Sequence, residues 1–119
     1  MNVLKTTEEL GLKPSKKGKV RDIFDLGDKL VIVTTDRISV FDVVLDDPIP
    51  YKGVVLTQLT KFWSEFLKDV IENHIIEFGV DNLSKEFVEH KDILQDRTMV
   101  VKKAKVLPIE CIVRGYLSG

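Results

Sequence analysis

Residues 18–35 read Gly-Lys-Val-Arg-Asp-Ile-Phe-Asp-Leu-Gly-Asp-Lys-Leu-Val-Ile-Val-Thr-Thr, and the fold turns on them. Val20 to Phe24 and Lys29 to Thr35 are apolar and rich in β-branched side chains, and Gly27-Asp28 between them is turn chemistry. Two such runs across a glycine-containing turn predict a β-hairpin. Upstream, Thr6 and Glu9 have capping-box spacing and Gly11 is a stop before Pro14, so the start is a short helical piece followed by a basic, flexible Ser15 to Lys19. Downstream, residues 36–47 predict a loop leading to a short strand near Phe41 to Leu45, closed off by Pro48 and Pro50.

The period then changes. Leu56, Leu59, Phe62, Trp63, Phe66, Val70 and Ile71 recur every three or four residues, which predicts an amphipathic helix over 54–73. A short strand over 74–80, a helical turn or two within 83–94, and strands over 98–105 and 109–117 complete the order. The expected class is α+β: a mainly antiparallel sheet with a long helix on one face.

Composition bounds the function. The 119 residues are 44% hydrophobic and 31% charged, with 18 basic against 19 acidic residues and a net charge of −1. Without a basic excess, nucleic-acid binding loses its electrostatic drive. No apolar run approaches the ~18 residues of a spanning helix, and no membrane partner is expected. The single Cys111 forms neither an internal disulfide nor a zinc site, and the cytoplasm is the expected compartment. On a strand Cys111 falls on the apolar face, where it reads as a small buried hydrophobe.

Three segments could carry chemistry. In the first, Lys19 and Arg21 beside Gly18 would point to one face of a strand, an arrangement that fits a polyphosphate, although a solvated basic turn is the plainer reading of these residues alone. The second, Asp36-Arg37-Ile38-Ser39-Val40-Phe41-Asp42, could recognise an anion through Arg37 and Ser39, or use Asp36 as a cap and Arg37 as a partner of Asp42. The third, Leu107 to Tyr116, would place Glu110 and Arg114 on one strand face beside Gly115, as a ligand contact or a packed salt bridge. His74 and His90 have no partner pattern for a metal or a triad.

Taken together and in this order, GKVRDIF, TTDRISVFDVVL, IPYKGVVLTQLTKFWSEFL, NHII and LPIECIVRGYLSG resemble the phosphoribosylaminoimidazole-succinocarboxamide synthase (SAICAR synthetase) family of purine biosynthesis. The resemblance implies an ATP-dependent carbon–nitrogen ligase that joins carboxyaminoimidazole ribonucleotide to L-aspartate through an acyl phosphate, with Mg²⁺ and release of ADP and phosphate. It implies an ATP-grasp-like fold whose N-terminal sheet domain is like a kinase small lobe.

Carried over by position, Gly18, Lys19 and Arg21 match the ATP-phosphate segment, and Lys103, Val106, Leu107 and Ile109 match the adenine-lining connection. Arg114, with Ser118 near it, matches the ribonucleotide contact, and Asp36, Arg37, Ser39 and Asp42 match the loop near the substrate carboxylate. Lys19 and Arg114 are the expected catalytic pair. Tyr51 stands where many members have glycine. Members run to about twice this length, so residues 1–119 read as a single N-terminal nucleotide-binding domain, with the second domain and the Mg²⁺ ligands beyond Gly119. The implied partners are small molecules, with self-association allowed. The alternative is a non-catalytic nucleotide-binding or regulatory domain on the same scaffold.

Overall fold

The computed structural model describes residues 3–117. Five strands form one antiparallel sheet: β1 (Lys16–Lys17), β2 (Arg21–Asp25), β3 (Lys29–Thr34), β6 (Ile75–Phe78) and β7 (Thr98–Lys102), in the order β1-β2-β3-β7-β6. The hairpin over 18–35 is β2 and β3, with Phe24 opposite Val31 and Gly27 at a φ of 97° in the turn between them. A separate two-stranded ribbon holds β4 (Ser39–Val40) and β5 (Val43–Val44). The helices are α1 (Lys52–Phe66), α2 (Lys85–Val88) and α3 (Lys91–Leu94), with 3₁₀ turns at Thr7–Leu10 and Gln95–Arg97. The class is the expected α+β arrangement, an antiparallel sheet with one long helix.

One sheet face carries the core. Alternation turns Phe24 of β2, Val31 and Val33 of β3, and Val100 of β7 inward, where they meet Leu4, Leu12, Val80, Phe87 and Leu94. Phe24 and Phe87 pack edge to face with centroids 5.0 Å apart. Leu4, Leu12 and the short helices α2 and α3 therefore build the core, and α1 does not. Of α1, only Gly53 and Thr57 are buried, whereas Phe62 is 56% and Phe66 68% exposed.

Four local expectations change. Lys16 and Lys17 are not a flexible stretch: Lys16 pairs with Ile23 and Lys17 with Asp22 as an edge strand, which extends the hairpin backwards. The stretch Phe41 to Leu45 is half of a ribbon whose turn residues Phe41 and Asp42 both have positive φ, 48° and 64°. The helix stops at Phe66, with Leu67 capping it, so Val70, on a turn, and Ile71, just past it, continue the apolar pattern outside the helix.

The fourth change is at the C-terminal end. Beyond Lys102, residues 103–117 form no strand and are exposed throughout, Cys111 included. Alternation of Ile109, Cys111 and Val113 makes a strand only where a neighbouring edge supplies hydrogen bonds. Both neighbours of β7 in the sheet are already present, β3 on one side and β6 on the other. Glu110 and Arg114 consequently do not share a strand face.

Candidate functional site

Gly18 to Val20 connect β1 to β2, so Lys19 lies on a loop and does not share a strand face with Arg21 as expected; the Gly18 N–H donates to the Arg21 carbonyl at 2.7 Å. A Cβ at Gly18 would meet only the Arg21 backbone, its carbonyl oxygen at 3.5 Å and its nitrogen at 4.0 Å, which is ordinary contact, so packing does not require glycine here. What glycine provides is open approach to the backbone from outside. Lys19 extends from this loop to pair with Asp42 on the ribbon turn. Asp42 holds the Lys19 ammonium above its usual range, with a smaller push from Glu110, and Lys19 in turn holds the Asp42 carboxyl low.

Arg37 lies behind the loop and is almost completely buried. Its Nε donates to the Lys19 carbonyl at 3.1 Å and its Nη1 to the Lys5 carbonyl at 3.0 Å. Its Nη2 donates to the carbonyls of Gly18 at 3.1 Å and Arg21 at 3.2 Å. The same Nη2 lies 3.0 Å from Oδ1 of buried Asp22, which accepts no hydrogen bond. This pair is therefore held by charge, the protons being directed at carbonyls. Burial pushes the Asp22 carboxyl up, but the Thr7 N–H and hydroxyl, at 2.8 and 2.7 Å from Oδ2, together with Arg37 hold it below its ordinary 3.8.

Asp36 is fully buried at the head of α1. Its Oδ2 accepts from Leu4 N–H at 2.8 Å, and its Oδ1 accepts from Gly53 N–H at 2.8 Å and Arg97 Nη1 at 2.9 Å. Here glycine is obligatory, because a Cβ on Gly53 would lie 2.1 Å from the Thr34 carbonyl oxygen. The α1 backbone touches β3 at this point. In this arrangement Asp36 and Arg37 address the protein itself, and Ser39 starts the ribbon beyond them. Lys52, on the first turn of α1, is pushed below its ordinary 10.5 by burial and then by the charge of Arg21, with Asp36 opposing.

The structure thus brings Gly18, Lys19, Arg21, Arg37 and Asp42 into one neighbourhood. Lys103 lies apart, paired with Asp25 at 3.1 Å beside the β2–β3 turn, the end of the hairpin opposite to Arg21. Val106, Leu107 and Ile109 are exposed on the segment that follows. Arg114 lines a shallow depression with Ile112, Gly115, Tyr116 and Leu117, and Ser118 lies outside the described residues.

Sequence reasoning missed Arg97 and Lys52. Arg97 immediately precedes the apolar strand β7, and a charge in that position was the available signal; Lys52 follows Pro50 at a helix start, where a cation opposes the helix dipole. Among the described residues no group of three or more His, Cys, Asp or Glu side chains could hold a metal ion. Asp22 and Asp36 are buried and committed to protein donors, so these two carboxylates do not fit Mg²⁺. None of the described helices is long and apolar enough to cross a membrane.

Residues 14–119 match the SAICAR synthetase family. The chain is 53% identical over 113 residues to the phosphoribosylaminoimidazole-succinocarboxamide synthase of Pelobacter propionicus, covering 95% of this chain and 38% of that protein. It is 56% identical over 108 residues to the synthase of Geobacter sulfurreducens, covering 91% and 36%. A solved SAICAR synthase superposes with a TM-score of 0.82 at 38% identity, over 98% of this chain and 42% of that one. The SAICAR synthase of Saccharomyces cerevisiae complexed with SAICAR gives 0.77 at 34%, over 100% and 42%. The chain therefore spans about two fifths of the length of the relatives it matches. With a family match across most of its residues and the same fold in solved members, this chain belongs to the SAICAR synthetase family.

Proposed function

We propose that this chain is the nucleotide-binding N-terminal part of an ATP-dependent ligase that joins the carboxylate of carboxyaminoimidazole ribonucleotide to the amine of L-aspartate. The observation that carries this reading is the Gly18–Arg21 loop, with two cations on an open backbone inside the segment shared with the family. In this reading Lys19 and Arg21 neutralise ATP phosphates, Lys103 and the Val106–Leu107 stretch border the adenine, and Arg114 with Ser118 holds the ribonucleotide. Asp36, Arg37 and Ser39 shape the wall near the substrate carboxylate. Lys19 must leave Asp42 to meet a phosphate, an exchange of one anion for another at an exposed pair, where the existing bond is weak. Mg²⁺, when bound, would screen phosphate charge. The cytoplasm is the compartment that fits this chemistry.

A second reading is a nucleotide-binding unit on the same scaffold without ligase activity of its own. Calorimetry with ATP and assay of aspartate-dependent ADP formation separate the two. The chain should bind ATP, and Lys19→Ala should weaken binding roughly tenfold, a step of about 1.4 kcal/mol in binding free energy. An unchanged ATP constant would leave Lys19 a solvated turn residue. Aspartate-dependent turnover by the chain alone would remove the second reading. Binding without turnover, with turnover restored by adding the remainder of a relative, would support the first.

A further inference from the structure

We infer that Arg37 is a positioning residue that sets the backbone of the Gly18–Arg21 loop for anion binding from beneath, in addition to any contact it makes with substrate. The inference rests on the reading of that loop as the phosphate site. Four of the five N–H groups of a guanidinium are engaged with carbonyls, and three of those carbonyls belong to Gly18, Lys19 and Arg21. A trans peptide holds its C=O and N–H in opposite directions. Turning the Gly18 and Lys19 carbonyls down onto Arg37 therefore turns the N–H groups of Lys19 and Val20 outward. Successive outward N–H groups make a concave donor surface for an anion. The Lys19 side chain starts from the same loop, and Arg21 follows it at the head of β2.

The chemistry selects arginine. Lysine would keep the charge beside Asp22 but offers a single nitrogen, which cannot reach carbonyls spread from Lys5 to Arg21. The choice also accounts for the unbonded Oδ1 of Asp22: a charge held close without a hydrogen bond leaves the Nη2 protons for the loop. Asp22 is thus the counter-ion that keeps Arg37 in place, and Thr7 holds Asp22 in turn.

The test uses this chain, with ATP and adenosine as separate probes in calorimetry and ¹⁵N–¹H NOE measurements on Lys19 and Val20. Arg37→Lys should weaken ATP at least tenfold, leave adenosine within twofold, and lower both NOE values. Asp22→Asn with Arg37→Gln removes the two charges together, leaves no buried ion alone, and should show the same ATP loss if Arg37→Lys does not fold. Val100→Ala, a core truncation remote from the loop, serves as the stability control and should leave ATP affinity within twofold. ATP binding by the wild-type chain that either Arg37 variant preserves within twofold overturns the inference while the phosphate-site reading stands. A wild-type chain that does not bind ATP overturns that reading itself, and unchanged NOE values in the variant then overturn the bracing as well.

Discussion

Asp22, Arg37, Asp36 and Arg97 lie in the interior of this chain, while Phe62, Trp63, Phe66, Val70 and Ile71 lie on its outside. Ordinary burial runs the other way. Among the charged residues each has its answer within the chain: Thr7 and Arg37 for Asp22, and Leu4, Gly53 and Arg97 for Asp36. Among the aromatic residues of α1 the contacts are mainly mutual, with Phe62 stacked on Phe66 and Trp63 edge-on to both. The difference is one of completeness. The polar region is closed by groups already present and holds the fold, so damage there is felt as unfolding. The apolar face of α1 contributes little to this chain's own stability, so damage there is felt as altered association.

The most severe way to break the polar region is Asp36→Ala, which takes the carboxylate from beside the buried Arg97 guanidinium and leaves the Leu4 and Gly53 N–H groups without their acceptor. A broken buried pair costs about 3–5 kcal/mol, against a total stability of roughly 5–15 for a domain. Urea denaturation should show a midpoint collapsed to low denaturant, and a loss below about 1 kcal/mol would refute the closed-network account. Next comes acid. Because the folded Asp22 carboxyl titrates below its ordinary 3.8, its contribution is complete above that value and disappears as pH falls toward the folded pKa. Thermal melts should therefore stay level near neutrality and fall below about pH 4, and Asp22→Asn should be less stable at neutral pH with a shallower acid limb.

The apolar face gives smaller effects on stability. Phe62→Gln should change it by no more than about 1 kcal/mol, since the side chain is more than half in water already. The same change should reduce concentration-dependent association measured by light scattering, as expected of an exposed apolar patch. A drop of 3 kcal/mol would show that α1 packs more tightly than its exposure indicates. The smallest change belongs to Tyr51, which caps α1 with a φ of 65°. Tyr51→Gly relieves about 1 kcal/mol or more of left-handed strain and gives back roughly half to all of it in unfolded-chain entropy, so a gain of about 0.5 kcal/mol is expected in a melt.

Legibility followed the range of the interactions. The β2–β3 hairpin and the core of α1 were readable because their signals, alternation and a three-to-four period, sit within a dozen residues. The end of α1 was not, because Val70 and Ile71 continue the apolar pattern after the hydrogen bonding has stopped. Strand 109–117 misled for a different reason: alternation describes the chain, a strand also requires pairing with an edge, and residues 109–117 pair with none. The loop Gly18–Arg21 was legible as chemistry, through its spacing and its resemblance to the family. What lies beneath it was not, since Arg37 and Asp36 read equally well as ligands and as scaffold. Only their burial, and the pairing of Asp36 with an arginine 61 positions away, reveals the scaffold role. The glycine usual at position 51 was visible by resemblance; the left-handed backbone that makes glycine useful there was not.

The three donors to Asp36 come from positions 32, 17 and 61 residues away along the chain. Closing each loop costs entropy, most for the 61-residue link, and the pairing of β7 beside β3 is what brings Arg97 to Asp36. During synthesis this orders events in time. A nascent chain that has not yet exposed Arg97 carries Asp36 without its guanidinium and β3 without one neighbour. Until β7 has left the ribosome, the head of α1 lacks one of the three donors that close it around Asp36.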